Sequence, residues 1–248
     1  MNNNFDLTGK IILVTGASSG IGCQVCISAS EMGAKIIATG RNEDRLSHTI
    51  SRLTGDGHIF LKADLTNFNE ITDLVKNIPN INGLVHSTGM VRFIPLRMVT
   101  QKNLDEIQKV NYNSPILLNQ QLLKNKKFYE GSSIVFITSI MALVGARGNG
   151  MYAGTKGALV AASRVLALEI APQKIRVNCI APGIVKSPMQ DFVKEAFSNE
   201  YLNEHEKEYP LGFGDPVDIA NGVVFLLSNA SKWVTGTTMV LDGGYTCR

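Results

Sequence analysis

The stretch MYAGTKGA, Met151 to Ala158, sets Tyr152 and Lys156 four positions apart. On a helix the two side chains leave one face, a turn apart. Such a pair is either an ordinary exposed helix contact or a phenol made more acidic by an ammonium. Unaided, a phenol has a pKa of about 10 and donates its proton poorly near neutrality. Two more polar residues bear on the same chemistry. Ser139 closes the apolar run SIVFITS, and Asn111 sits upstream in the helical stretch DEIQKVNYNSP.

A second stretch able to do chemistry is TGASSGIG, in which Gly16, Gly20 and Gly22 alternate with Ser18, Ser19 and Ile21. It joins a β-branched run to a helical pattern. In that context glycines let the backbone approach a pyrophosphate, and free N–H groups at the helix start favour its charge. The next apolar run, KIIATG, is followed by Arg41. An acidic residue usually stands there to bind the ribose 2′-hydroxyl of NAD. An arginine fork instead suits a 2′-phosphate, so NADP(H) is expected over NAD(H). The alternatives are a tight turn without ligand and a solvated surface arginine.

These residues need elements to hold them. Apolar runs at Ile11–Gly16, Lys35–Gly40, His58–Leu65, up to His86, Ser133–Ser139, up to Ile180 and Thr238–Gly244 read as strands. Helical patterns separate them, at Ile21–Met32, Asn42–Leu53, Ile71–Ile78, Thr100–Leu123 and Tyr152–Ile170. A last helix, Asp215–Ser228, has Asp215 at its N-cap and Pro216 in its first turn. Near-continuous apolar strands alternating with helices imply an α/β fold, a doubly wound parallel sheet of about seven strands covered on both faces. No linker or repeat divides residues 1–248, so a single Rossmann-type domain is expected. Residues 186–211 lack a strand and lie where a substrate loop would.

Composition bounds the partners. The chain has 248 residues, 44% hydrophobic and 18% charged, with a net charge of +3. Its basic residues are scattered, which argues against nucleic acid. No apolar run reaches the roughly 18 residues of a membrane span, and the first ten residues have no signal-peptide core. A cytoplasmic protein is expected. Four cysteines and four histidines form no metal-ligand pattern, and Cys23 and Cys26 fall within a helical apolar pattern as small buried residues.

Taken together, TGASSGIG, Asn111, Ser139, Tyr152, Lys156, the APG of Ala181–Gly183 and the closing LDGG resemble the short-chain dehydrogenase/reductase family over essentially the whole chain. The resemblance implies that Tyr152 is the general acid in reduction and the base in oxidation. Lys156 would lower the phenol pKa, which needs roughly 3–4 kcal/mol of phenolate stabilisation, and hold the nicotinamide ribose. Ser139 would bind the substrate oxygen, and Asn111 would hold a water relaying protons from Lys156. Asp64 and Leu65 would flank the adenine. Ser87 and Gly89 would lie along the cofactor, with Pro182, Gly183, Val185 and Ser187 bordering the nicotinamide.

Within the family the chain is similar to the 3-oxoacyl-acyl-carrier-protein reductases, which implies an NADPH-dependent reduction of a β-ketoacyl thioester. The apolar residues Met90, Phe93, Met141, Leu143, Val144, Met189 and Phe192 fall at pocket positions, with Met141 and Met189 expected on the substrate. Two departures stand out. An Asn-Asn-Ala-Gly motif is replaced by His86-Ser87-Thr88-Gly89, with His86 expected to serve as a satisfied core histidine. The arginines that dock an acidic carrier are replaced by Phe128 or Tyr129 and by Gln173, with Lys126, Lys127 and Lys174 nearby. Reduction of another carbonyl, action on a sugar or secondary alcohol, and NADP(H) sensing without turnover are the alternatives. A homotetramer is the family's usual state.

Overall fold

Runs such as IILVT and KIIATG are too apolar to face water on either side, and they satisfy their backbones by pairing with one another. The computed structural model describes residues 3–187 and 198–247. The strands are β1 (Ile11–Thr15), β2 (Lys35–Gly40), β3 (Ile59–Lys62), β4 (Ile81–His86), β5 (Phe128–Ile137), β6 (Arg176–Pro182) and β7 (Thr238–Leu241). They form one parallel sheet in the order β3-β2-β1-β4-β5-β6-β7. The order reverses between β1 and β4, and the crevice outside the carboxyl ends at such a reversal is where ligands bind in open α/β sheets.

Helices cover both faces: α1 (Gly20–Glu31), α2 (Glu43–Ile50), α3 (Phe68–Asn77), α4 (Gln101–Gln108), α5 (Ser114–Lys124), α6 (Gly150–Ile170), α7 (Asn199–Glu206) and α8 (Pro216–Leu227). Strand residues divide between the two faces with period two. Ile12, Val14, Ile36, Val85 and Val135 pack with α1 and α8, whereas Leu13, Ile37, Leu84, Ile134 and Phe136 pack with α3, α5 and α6. Burial on both faces explains why the strands read as continuous apolar runs rather than alternating ones.

Helix ends follow their sequences. Asn42 caps α2 through Arg45 N–H, Asn67 caps α3 through Asn69 N–H, and Thr100 with Asn103 forms a capping box on α4. Asp215 precedes α8, and its N–H donates to Asp218 Oδ2 at 2.7 Å. The other end of α8 carries two cations. Lys10 Nζ donates to the Leu227 carbonyl at 3.0 Å and Arg176 Nη2 to that of Ser228 at 3.2 Å. Both satisfy orphan carbonyls and oppose the negative end of the helix dipole.

Three expectations need adjustment. The helix expected from Thr100 to Leu123 is interrupted by a π-helical turn at Lys109–Asn113, which carries Asn111. The third strand is shorter than His58–Leu65, because Asp64 turns the chain by accepting from Thr66 N–H at 2.9 Å. The segment from Lys186 to Leu211 contains α7, and a parallel bridge between Val185 and Gly214 ties its base. Met189 and Phe192 lie outside the described residues. Among the described residues no helix is long and apolar enough to cross a membrane.

Candidate active site

Most of the residues singled out in the sequence follow the carboxyl ends of successive strands. Gly16 follows β1, Arg41 follows β2, Asp64 follows β3, Ser87 and Gly89 follow β4, Ser139 follows β5 and Gly183 follows β6. Parallel pairing therefore gathers onto one edge residues that span most of the chain.

Ser139 lies two residues beyond β5, where its Oγ accepts from Met141 N–H at 3.2 Å and opens a short 3₁₀ turn. The loop that follows leads into α6, which begins at Gly150 and so carries Tyr152 and Lys156 in its first two turns. Ser139 hydrogen-bonds the Tyr152 phenol, the one contact that favours phenolate there, while burial pushes the phenol above its usual range. Lys156 is 4% exposed and donates to the Ile137 carbonyl at 2.9 Å. Burial holds its ammonium down to about 8. Nζ stands 5.7 Å from the centroid of the Tyr152 ring. In the polypeptide by itself, then, burial disfavours the charged form of both groups, and the lowering of the phenol that the resemblance implies is not seen.

Asn111 is fully buried. Its Oδ1 accepts from Met90 N–H at 2.8 Å, while Nδ2 donates to Met90 O at 2.9 Å and to Thr155 Oγ1 at 3.2 Å. Thr155 in turn donates to the Tyr152 carbonyl at 2.8 Å. The π turn thus aims an amide that fastens the segment after Gly89 to the helix of the tyrosine. A Cβ on Gly89 would lie 3.4 Å from Lys156 Nζ, so that segment passes directly beside the ammonium. Both donors of Asn111 Nδ2 and one lone pair of Oδ1 go into this brace. Thr155 was missed in the sequence, although it adjoins Lys156; a threonine inside a helix gives no signal of what its hydroxyl will meet.

The departure at residues 86–89 has its own bracing. His86 is buried, stacks on Phe136 with centroids 4.7 Å apart, and pairs through Nε2 with Asn119 Nδ2 at 2.8 Å. Burial drives its pKa down to about 3, so the ring is neutral and accepts from the amide. It is a satisfied core histidine, as expected. Thr15 Oγ1 accepts from the N–H groups of Ser87 and Thr88 at 3.1 and 3.3 Å and joins β1 to the end of β4.

The glycine turn fits a dinucleotide phosphate. Gly16 has φ +64°, and a Cβ there would come within 2.9 Å of the Ser87–Thr88 backbone. A Cβ on Gly22 would lie 2.3 Å from the Gly16 carbonyl oxygen. Helix α1 starts at Gly20, and Ser19 at its N-cap leaves the first N–H groups without a side-chain acceptor, unlike α2, α3 and α4. Ser18, Ser19 and Ile21 are half-buried along this turn. Ser18 Oγ lies 3.6 Å from where a Cβ on Gly40 would stand, which brings it to the end of β2 beside the exposed Arg41. Lys156 completes the fit: of its three donors, one is taken by Ile137 among the described residues, leaving donors for hydroxyls of a ribose.

The remaining positions are distributed along the same edge. Asp64 N–H donates to Glu70 Oε2 at 2.7 Å, and Leu65 beside it is buried. Pro182 ends β6, Val185 is buried, and Ser187 is half-buried. Met141 is half-buried against Asn149, and Leu143 is 50% exposed at the rim. Glu70, which holds the turn after β3, was not anticipated from the sequence.

A family model described as enoyl-(acyl carrier protein) reductase matches residues 16–246. The 3-oxoacyl-[acyl-carrier-protein] reductase of Rickettsia prowazekii is 33% identical over 246 residues, covering 96% of this chain and 98% of that protein. The L-xylulose reductase of Caenorhabditis elegans is 33% identical over 253 residues, covering 99% of each. A crystal structure assigned as an NAD(P)-dependent gluconate 5-dehydrogenase from Beutenbergia cavernae, with NADP bound at low occupancy, superposes with a TM-score of 0.89 at 27% identity, covering 99% of this chain and 100% of that one. With the glycine turn, the serine–tyrosine contact and the buried lysine all on one sheet edge, the chain belongs to the short-chain dehydrogenase/reductase family of NAD(P)-dependent oxidoreductases.

Proposed function

We propose that the protein is an NADPH-dependent reductase of a 3-oxoacyl thioester, acting in acyl-chain synthesis in the cytoplasm. The observation that carries the reductase chemistry is the contact of Ser139 with the half-buried Tyr152 phenol beside Lys156. A bound nicotinamide supplies the hydride. Ser139 holds the substrate carbonyl oxygen, and Tyr152 delivers the proton to it as charge develops. Lys156 holds the ribose and stabilises the phenolate left behind. The phenol starts protonated, as a donor must, but burial makes it a weaker acid, and the neighbouring cation, worth more as the closed site excludes water, is what would offset that. Arg41 selects the 2′-phosphate.

The thioester is favoured by the carrier-protein reductase relatives and by the half-buried apolar residues Met90, Phe93, Met141 and Val144 around the mouth. A second reading, reduction of a sugar or other small carbonyl, has its own support. Lys127 Nζ is already bound to the Ile78 carbonyl at 2.6 Å, and Lys174 is paired with Glu130 at 2.6 Å. Two of the three lysines able to replace the carrier-docking arginines are therefore engaged, and both lie at the amino ends of β5 and β6. Nicotinamide absorbance with 3-oxoacyl thioesters, free and carrier-bound, against a panel of keto-sugars and ketones decides between them. Turnover of the thioesters supports the first reading; turnover confined to the sugars or other ketones replaces it; binding without turnover leaves a sensor.

We also infer that copies associate, most simply as a homotetramer. Val165 and Leu168 on α6 are 56% and 79% exposed, Leu104 and Leu117 on α4 and α5 are each more than a third exposed, and Trp233 before β7 is 96% exposed. Light scattering on the purified protein tests it, and a monomer at micromolar concentration would refute it.

A further inference from the structure

Gly183 and Ile184 follow β6 on the cleft edge, and the cofactor reading sets them beside the nicotinamide end of the dinucleotide. Asn111, Ser139, Tyr152 and Lys156 make none of the contacts found around this turn. Tyr209 makes two of them. It is 4% exposed, and its ring lies so close to Gly183 that a Cβ there would come 2.9 Å from Cε1. Its phenol takes a hydrogen bond from the Ile184 backbone, of the sign that favours phenolate, so the amide is the donor. The Ile184 carbonyl accepts from Gly214 N–H at 3.0 Å, and Lys186 N–H donates to Gly214 O at 2.8 Å. The turn is gripped by backbone on one side and wedged by an aromatic ring from behind.

The wedge is itself held. Tyr209 stacks on Tyr245 with centroids 4.5 Å apart at 25°, and meets the edge of Phe213 at 5.0 Å. His205 packs edge-on against both tyrosines at 5.6 Å. Tyr245 belongs to the C-terminal turn, which Asp242 fixes by accepting from Gly244 N–H, Thr246 N–H and Thr246 Oγ1 at 3.0, 2.8 and 2.7 Å. Leu211 N–H donates to the Gly243 carbonyl at 3.1 Å and closes the connection. Rings in such offset and edge-on contacts keep a defined orientation, so a displacement at Tyr245 is transmitted to Tyr209 rather than absorbed.

We infer that Tyr209 is a positioning residue for the Gly183–Ile184 turn at the nicotinamide end of the cofactor site, and that the C-terminal turn sets its ring through Tyr245. The inference rests on the reading that a nicotinamide dinucleotide lies along this edge. It concerns binding geometry and involves no chemical step.

The test separates the two halves of the cofactor. Calorimetric titration with NADP+ is compared with adenosine 2′,5′-bisphosphate, which lacks the nicotinamide half, and NAD+ is compared with ADP in the same way. Tyr209→Phe removes one hydrogen bond and keeps the ring. It is expected to weaken whichever dinucleotide binds by about three- to tenfold while leaving the matching half-ligand unchanged. Tyr245→Leu, which removes the stack without touching the turn, is expected to give the same pattern. Equal weakening of the whole and half ligands in either folded variant would mean a general structural role and overturn the inference. Unchanged dinucleotide binding in both would overturn it too. Wild-type protein that binds neither dinucleotide would remove the cofactor reading and this inference with it.

Discussion

Lys156 Nζ stands over the Tyr152 ring, 5.7 Å from its centroid, and donates to the Ile137 carbonyl at 2.9 Å. The ammonium is thus anchored to the strand that delivers Ser139, and it reaches the phenol from the ring face rather than as an ion partner of the oxygen. Burying such a group carries a cost in stability. The folded pKa of Lys156 is about 8 against an ordinary 10.5. Between those pH values the unfolded chain binds a proton that the folded chain has lost, so stability rises with pH across that window. Below pH 8 the full cost is present, on the order of 3 kcal/mol. Lys156→Met should therefore be inactive yet more stable than wild type in urea at pH 7, with the advantage shrinking by pH 10. An advantage that does not change with pH would refute the assignment.

Loss of the phenol oxygen should stop proton transfer without disturbing the fold. Tyr152→Phe is expected to lower turnover by about 10²–10⁴-fold while the dissociation constant for the cofactor changes by less than about threefold. Ser139→Ala should act on turnover in the same direction, since it removes both the hydroxyl proposed to hold the substrate oxygen and the one contact that favours phenolate. Single-turnover measurements with saturating cofactor check both, and catalysis persisting in Tyr152→Phe would sink the mechanism.

The sheet and the position of Tyr152, Lys156 and Ser139 were legible in the sequence because each rests on local signals. A β-branched run, a glycine turn and a four-residue helical spacing each fix geometry within a few residues. Asn111 could be singled out in the sequence, but its partners could not. The π turn at Lys109–Asn113 has no compositional mark, and the bonds it creates to Met90 and Thr155 join segments far apart in the chain. The same holds for the Tyr209–Tyr245 stack, whose two residues meet only through tertiary packing. The direction of the Tyr152 shift also escaped the sequence: spacing places the lysine but does not report burial, and burial acts on both groups.

His86 sits where a motif of amides was expected, and its neutrality predicts an acid-sensitive fold. Its pKa is about 3 in the folded chain against an ordinary 6.5. Between those values the unfolded chain takes up a proton that the folded chain refuses, so stability rises with pH there and is lost on acidification. The full effect is on the order of 5 kcal/mol at the acid end. His86→Gln should keep activity at neutral pH and lose less stability than wild type between pH 6.5 and pH 4. Parallel unfolding curves for the two proteins across that range would refute it, as would loss of turnover at pH 7 in a folded variant.

Arg41 is exposed at the end of β2 beside Ser18, where the adenosine 2′ position would lie above the glycine turn. No acidic side chain contacts it among the described residues, so its guanidinium is not committed to an ion pair in the protein itself. A guanidinium held against a phosphate contributes charge-assisted bonds that a hydroxyl cannot match, and it would meet no 2′-phosphate in NADH. Arg41→Ala is accordingly expected to weaken NADPH binding by about ten- to a hundredfold and NADH binding by no more than about twofold. Raising the salt concentration should narrow the wild-type preference, because the site is open to solvent and the attraction is screened. Equal losses for the two cofactors, or wild-type protein that binds NADH at least as tightly as NADPH, would overturn the assignment of Arg41 as the residue that selects the 2′-phosphate.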